Sequence, residues 1–171
     1  MRSAQGAEMN IAYLSLGSNI GDRLANLQGC IARLATFGKV TKVSSFYETE
    51  PMEVLDQPWF LNCAVQLATE LAAQELLAAV RHIEEEMGRR RDVSKGPRTI
   101  DVDILLFGSR VIEEADLHIP HPAMRERRFV LEPLAEIAPE ARDPISGLEV
   151  RQLLVQLGTR GGEVKPLAIA R

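Results

Sequence analysis

The chain is poor in aromatic residues and in cysteine, and it has no long apolar run. Aromatics make up 5% of its 171 residues, with a single tryptophan. No apolar stretch approaches the ~20 residues that a membrane-spanning helix needs, and residues 1–8 lack the apolar centre of a secretory signal. Membrane partners are therefore not expected. The two cysteines, Cys30 and Cys63, lack metal-ligand spacing and fall on apolar sides of their segments. They read as reduced core thiols of a cytoplasmic protein. Neither sign of charge dominates, with 20 Lys and Arg against 24 Asp and Glu for a net charge of -4. That excludes a general nucleic-acid binder and leaves any basic cluster local and ligand-directed. Repeats and low-complexity tracts are also missing. With 46% apolar and 26% charged residues, the composition is that of an ordinary globular domain. The expectation is a single domain over 9–160, a disordered leader over 1–8 and a flexible tail over 161–171. No apolar heptad argues for a dimer, so a monomer is expected.

What is present concentrates in Gly96-Pro97-Arg98-Thr99-Ile100-Asp101-Val102-Asp103-Ile104-Leu105-Leu106-Phe107. The run reads as a buried strand with two carboxylates one residue apart. Strand side chains alternate, so Asp101 and Asp103 share a face and Val102 and Ile104 take the other. Two aspartates that close repel each other and resist desolvation. A hard divalent cation removes both penalties, magnesium above all when phosphates complete its shell. Upstream, Arg89, Arg90, Arg91, Lys95 and Arg98 supply five cations. Downstream, His121 sits between Pro120 and Pro122, followed by Arg125, Arg127 and Arg128. A charge run is usually a solvated face. Beside a metal-binding carboxylate pair it points to phosphoryl or pyrophosphoryl transfer, with guanidinium groups gripping phosphate oxygens.

Periodicity orders the rest. Strand signals cover 11–16, 40–49, 60–69 and 99–107; helical signals cover 22–37 and 74–87. Strand, helix, strand, strand, helix, strand suits an α+β fold of the split βαβ kind, an antiparallel sheet with both helices on one face. If Leu61, Cys63, Val65, Val102, Ile104 and Leu106 pack under those helices, the opposite face must carry Phe60, Asn62, Asp101 and Asp103. A strand signal at Val111-Ile112 and helical signals over 124–137 and 150–157 should cover part of that second face as a third layer.

Together these motifs resemble the hydroxymethyldihydropterin pyrophosphokinases of folate biosynthesis, from about Ile11 to Leu157. The carrying motifs are Leu16-Gly17-Ser18-Asn19, Ser45-Phe46-Tyr47-Glu48-Thr49 with Pro51, and Gln57-Pro58-Trp59-Phe60-Leu61-Asn62. They continue through Gly88-Arg89, the stretch from Gly96 to Phe107, and Ile119-Pro120-His121-Pro122 with Arg127, Phe129 and Leu131. The resemblance implies a ferredoxin-like α+β sandwich. It also implies transfer of the terminal diphosphate of ATP to the hydroxymethyl group of a reduced pterin, with release of AMP. By the same match Asp101 and Asp103 hold two magnesium ions on ATP, Arg98 and Arg127 bind phosphate, and His121 contacts ATP. Arg89 and Arg91 belong to a loop that closes over ATP, and Arg89, Arg91, Arg98, Asp101 and Asp103 form the catalytic set. Thr49, Phe60, Asn62 and Phe129 take the pterin, the two rings as a sandwich and the amide as an edge reader.

The chain departs from the family pattern at Phe60, often a tyrosine, at Lys95, where many members carry a tryptophan, and at Arg90, a third consecutive arginine. Glu84 matches a recurrent family glutamate, though a solvated helix residue reads almost equally well; His82 and His118 read as surface residues. Two other readings stand beside this one. The split βαβ order with a basic loop also describes RNA-recognition domains, and a nucleotidyl transferase could use the same acidic pair. The proton acceptor for the pterin hydroxyl, Asp103 or a metal ion, is left open.

Overall fold

The computed structural model describes residues 8–52, 55–88 and 99–168. The basic stretch from Arg89 to Arg98, including Lys95, lies outside them, as does the leader up to Ala7. The fold is α+β, built on a six-stranded antiparallel sheet. Strand β1 (Asn10–Ser18) leads to helix α1 (Arg23–Leu34), β2 (Lys39–Val43), β3 (Tyr47–Thr49) and β4 (Phe60–Thr69). Helix α2 (Ala73–Glu86) returns the chain to β5 (Asp101–Phe107), and a small hairpin follows, β6 (Ile112–Glu113) with β7 (His118–Ile119). A 3-10 turn at Met124–Glu126 precedes α3 (Arg128–Ile137), α4 (Val150–Leu157) and β8 (Val164–Pro166). The sheet order is β5-β1-β4-β3-β8, and β2 shares β4 with β3.

Local chemistry explains the boundaries. Asp22 caps α1, its carboxylate accepting from the backbone N of Ala25 at 3.1 Å, which satisfies one of the orphan donors of a first turn. The Glu75 side chain accepts from Ala72 N at 2.8 Å at the start of α2. The expected continuous strand over 40–49 is broken at Ser44. There Ser44 N donates to Ala64 O, but Ala64 N donates to the Ser44 hydroxyl at 2.8 Å rather than to a carbonyl. A side chain thus replaces one rung of the ladder and the strand restarts at Tyr47. The helical signal over 124–137 likewise divides, into the 3-10 turn and α3.

Two apolar clusters flank the sheet. Ala12, Leu14 and Leu16 of β1 with Leu61, Cys63, Val65 and Leu67 of β4 pack on Leu27, Cys30 and Leu34 of α1 and Leu76, Val80 and Ile83 of α2. Ala64, Leu105 and Leu106 pack instead with Leu131 and Leu134 of α3 and Leu153 and Leu157 of α4. Leu106 therefore lies on the face opposite to the one its spacing from Ile104 predicted. The cause is a bulge: Leu14 pairs with Ile104 but Tyr13 pairs with Leu106, leaving Leu105 as the extra residue. One inserted residue flips the alternation that follows it. The expected flexible tail also needs correction, because Val164–Pro166 within it is an ordered strand on β3. Leu167 N donates to Phe46 O at 2.8 Å and Glu50 N to Glu163 O at 3.0 Å.

Candidate active site

Register decides what meets on the face away from α1 and α2. Asp101 lies opposite Gly17, Gly17 opposite Asn62, and Asn62 opposite Tyr47, a single row across four strands. Asp103 lies one step along, opposite Ser15, and Phe60 lies opposite Thr49. The expected sharing of a face by Phe60, Asn62, Asp101 and Asp103 therefore holds, because the bulge begins only after Ile104.

At the acidic end, an imidazole and a guanidinium approach Asp103. His121 Nε2 stands 3.7 Å from one carboxylate oxygen and Arg127 Nη1 stands 3.8 Å from the other. All three side chains are between 20% and 30% exposed, so water can enter but screens them incompletely. His121 is delivered by the bulge, since its backbone N donates to the carbonyl of Leu105 at 3.0 Å. Burial, aided by the Arg127 charge and opposed by Asp101, pushes the His121 pKa down to about 4. The ring is neutral at pH 7. Its Nδ1 accepts from Ala123 N at 3.2 Å, which assigns the proton to Nε2 and aims a donor into the site. Arg127 also lies over the Phe129 ring, 5.6 Å from its centroid. The three downstream arginines are thus sorted. Arg125 binds the buried Asp143 and Arg128 binds Glu132, and Arg127 alone of them faces the aspartates.

At the other end of the row, Asn62 is 4% exposed and Thr49 is 1% exposed. The Thr49 hydroxyl donates to Asn62 Oδ1 at 2.6 Å, and Asn62 Nδ2 donates to Leu16 O at 3.2 Å. These bonds fix which way the amide faces. Asn19 Nδ2 donates to Gln57 Oε1 and to the carbonyl of Pro58 at 2.8 and 3.1 Å, tying the end of β1 to the segment that delivers Phe60. Phe60 and Phe129 are both half-buried.

Behind the aspartate strand, Glu84 of α2 is 2% exposed and accepts from Val102 N at 2.9 Å. It thereby holds the residue between the two aspartates. A cavity of about 320 Å³ opens between α2 and β5, lined by Leu77, Val80, Glu84, Ile104, His118 and His121 among others, with Asp103 at its edge.

A family model described as 7,8-dihydro-6-hydroxymethylpterin-pyrophosphokinase (HPPK) matches residues 13–139. The chain belongs to the HPPK family. An HPPK of Bacillus subtilis, named 2-amino-4-hydroxy-6-hydroxymethyldihydropteridine pyrophosphokinase, is 50% identical over 145 residues, 84% of this chain and 87% of that one. A protein of the same name from Methylorubrum extorquens is 45% identical over 157 residues, 91% of this chain and 98% of its own. Among solved structures, the wild-type HPPK-DHPS of Plasmodium falciparum with SDX-DHP superposes with a TM-score of 0.72 over 90% of this chain at 17% identity. This chain spans 45% of that longer one, and the likeness speaks for the fold alone.

The HPPK residues expected from sequence fall into two groups. Asp101, Asp103, His121, Arg127, Thr49, Phe60, Asn62 and Phe129 belong to the described residues, whereas Arg89, Arg91 and Arg98 lie outside them. Sequence reading left Glu84 weak and read His118 as surface. His118 is exposed and bonded to Glu113 at 2.9 Å, but it also lines the cavity. Its strand partner Glu113 and the two-residue strand β7 gave no periodic signal by which to place it. Among the described residues no group of three or more His, Cys, Asp or Glu side chains could hold a metal. Two half-buried carboxylates on one strand face, Asp103 bordering the cavity, suit magnesium when phosphates and water supply its remaining ligands, so Asp101 and Asp103 fit that ion.

Proposed function

We propose that this HPPK-family enzyme transfers the terminal diphosphate of ATP to the hydroxymethyl oxygen of 6-hydroxymethyl-7,8-dihydropterin in folate biosynthesis, releasing AMP. The observation that carries the reading is the single row Asp101, Gly17, Asn62, with a phosphate end that Arg127 and the His121 donor face and an amide-lined end for a ring. The cavity between α2 and β5 suits adenosine, having Leu77, Val80 and Ile104 as apolar walls and His121 at its edge. Asn62, its amide orientation set by Thr49, reads the pterin edge. Phe60 and Phe129 would stack on the ring faces.

Asp101 and Asp103 would hold magnesium, two ions in our reading, with the triphosphate. When bound there, magnesium neutralises phosphate charge and polarises the reacting oxygens. The protein contributes position and fixed charge. The pterin hydroxyl gives up its proton, to Asp103 or to water, as its oxygen bonds to the β-phosphorus, and the bond from that phosphorus to the oxygen retained by AMP breaks. Arg127 and the Nε2 proton of His121 stabilise charge on the phosphate oxygens during this exchange, as oriented donors that need no reorganisation. Glu84 keeps Val102 fixed and so keeps both aspartates aimed. Arg89, Arg91 and Arg98 add phosphate contacts in this proposal on the strength of their sequence match.

The two core clusters support the finer ferredoxin-like reading, with α1 and α2 on one sheet face and α3 and α4 as a third layer. Among the described residues no helix is long and apolar enough to cross a membrane. Cys30 and Cys63 are free and buried, with burial raising both thiol pKa values, that of Cys30 to about 12. Inert reduced thiols favour a cytoplasmic location, and a single-domain monomer over 9–160 extended by β8 completes the proposal. Product analysis with ATP, magnesium and the reduced pterin tests the reaction. AMP with pterin diphosphate is expected; pyrophosphate release would mean nucleotidyl transfer and overturn the assignment.

A further inference from the structure

One polar cluster remains unused by the reaction. At the far end of α3 the Glu136 carboxylate accepts from Ser45 N at 2.9 Å, from the Ser45 hydroxyl at 3.0 Å and from the Tyr47 hydroxyl. The Tyr47 ring is 9% exposed, while Glu136 sits at the solvent edge. Lys42 Nζ donates to Ile137 O at 3.2 Å beside it, so the C-terminal turn of α3 is tied to β2, to β3 and to the break between them.

Spacing connects this cluster to the pterin end of the site. Phe129 and Glu136 are seven residues apart on α3, two turns along one helix face. Tyr47 and Thr49 are two residues apart on β3 and share a strand face. One helix stripe therefore carries an aromatic at its start and a carboxylate at its end. The facing strand carries the phenol bound by that carboxylate and the hydroxyl that fixes Asn62. Burial and the Glu136 hydrogen bond raise the Tyr47 pKa, so the phenol remains a donor at neutral pH.

We infer that Glu136 is a positioning residue, which by gripping Ser45 and Tyr47 sets the gap between Phe129 on α3 and the Thr49–Asn62 pair on the sheet. The inference rests on the pterin assignment made above. It requires that loosening the grip widen the ring slot without disturbing Asp101, Asp103 or the cavity beside α2, which lie on other elements. Glu136 acts through Tyr47 and Thr49 and touches no substrate.

Glu136→Gln and Tyr47→Phe test this in the intact protein. Each should raise the KM for the reduced pterin by about three- to tenfold, the order expected for one charge-assisted hydrogen bond at a solvent edge. The KM for ATP and kcat at saturating pterin should stay within about twofold. Because both variants weaken the Glu136–Tyr47 bond, the double variant should raise the pterin KM by less than the product of the two single effects. Unchanged pterin KM in both variants would overturn the inference. So would equal rises for pterin and ATP with a lowered unfolding midpoint, which mark a merely structural tie. Phe129→Ala separates this failure from failure of the pterin assignment. If it too leaves pterin affinity unchanged, the assignment falls and the inference with it; if it weakens pterin binding while Glu136→Gln does not, only the inference falls.

Discussion

Gly17 and Asn62 are cross-strand partners, and the missing side chain of the first makes room for the amide of the second. A Cβ at position 17 would lie 2.7 Å from Asn62 Nδ2 and 3.5 Å from Phe60 Cδ1. Asn62 has nowhere cheap to go, being buried and bonded to Thr49 and Leu16. Gly17→Ala should cost about 1–3 kcal/mol in stability as a small overpacking change. It should also weaken the pterin far more than an ATP analogue. Calorimetric titration of each ligand checks this, and equal losses would place Gly17 outside the ring slot.

Asp101→Asn and Asp103→Asn should each abolish measurable AMP release, a loss of several kcal/mol in transition-state stabilisation of the order expected for a lost metal ligand. Stability should hold or rise, since each change relieves repulsion between neighbouring carboxylates. Steady-state kinetics paired with thermal unfolding is the measurement. Near-wild-type turnover in either variant would remove the metal assignment.

Phe129→Ala should weaken pterin binding by roughly 0.5–1.5 kcal/mol beyond the buried area it removes. Because Arg127 lies over the same ring, a smaller loss for the ATP analogue should accompany it. Phe60→Ala should affect the pterin alone, and Phe60→Tyr should be tolerated. Binding of each ligand to the three variants distinguishes these outcomes.

Asp143 should set part of the acid stability. Burial alone would raise its carboxyl pKa, but hydrogen bonds from Arg125, Ile145 N and Ser146 outweigh it and hold the pKa below the usual range. A folded pKa below the unfolded value near 3.9 contributes stability that is present above about pH 4 and lost as pH falls through the folded pKa. Asp143→Asn should therefore flatten the fall in urea midpoint as pH drops below about 4, while costing about 1–3 kcal/mol at neutral pH. An unchanged acid limb would assign the loss to other carboxylates.

The site was legible where alternation ran undisturbed. β4 begins at Phe60 and ends at Thr69 as its pattern indicates, so the shared face of Asn62 with Asp101 and Asp103 could be read directly. Legibility failed where long-range partners overrode local pattern. Leu106 turned over because β1 pairs around Leu105, and Ser44 ended a strand by offering Ala64 a hydroxyl. Val164–Pro166, with a lysine and a proline, shows no strand signal and exists because β3 presents an edge. Glu84 was ambiguous because a helix glutamate looks the same in sequence whether it meets water or the amide of Val102.

The extra residue in β5 has a consequence for how the enzyme can change. With Leu105 unpaired to β1, the strand is two segments in opposite phase: one presents Asp101 and Asp103 on the face away from α1 and α2, the other seats Phe107 beneath the helices. Variation in the apolar segment can repack the interior without re-aiming the catalytic one. Losing residue 105 would force both into one phase, and the molecule would have to choose between its chemistry and its core.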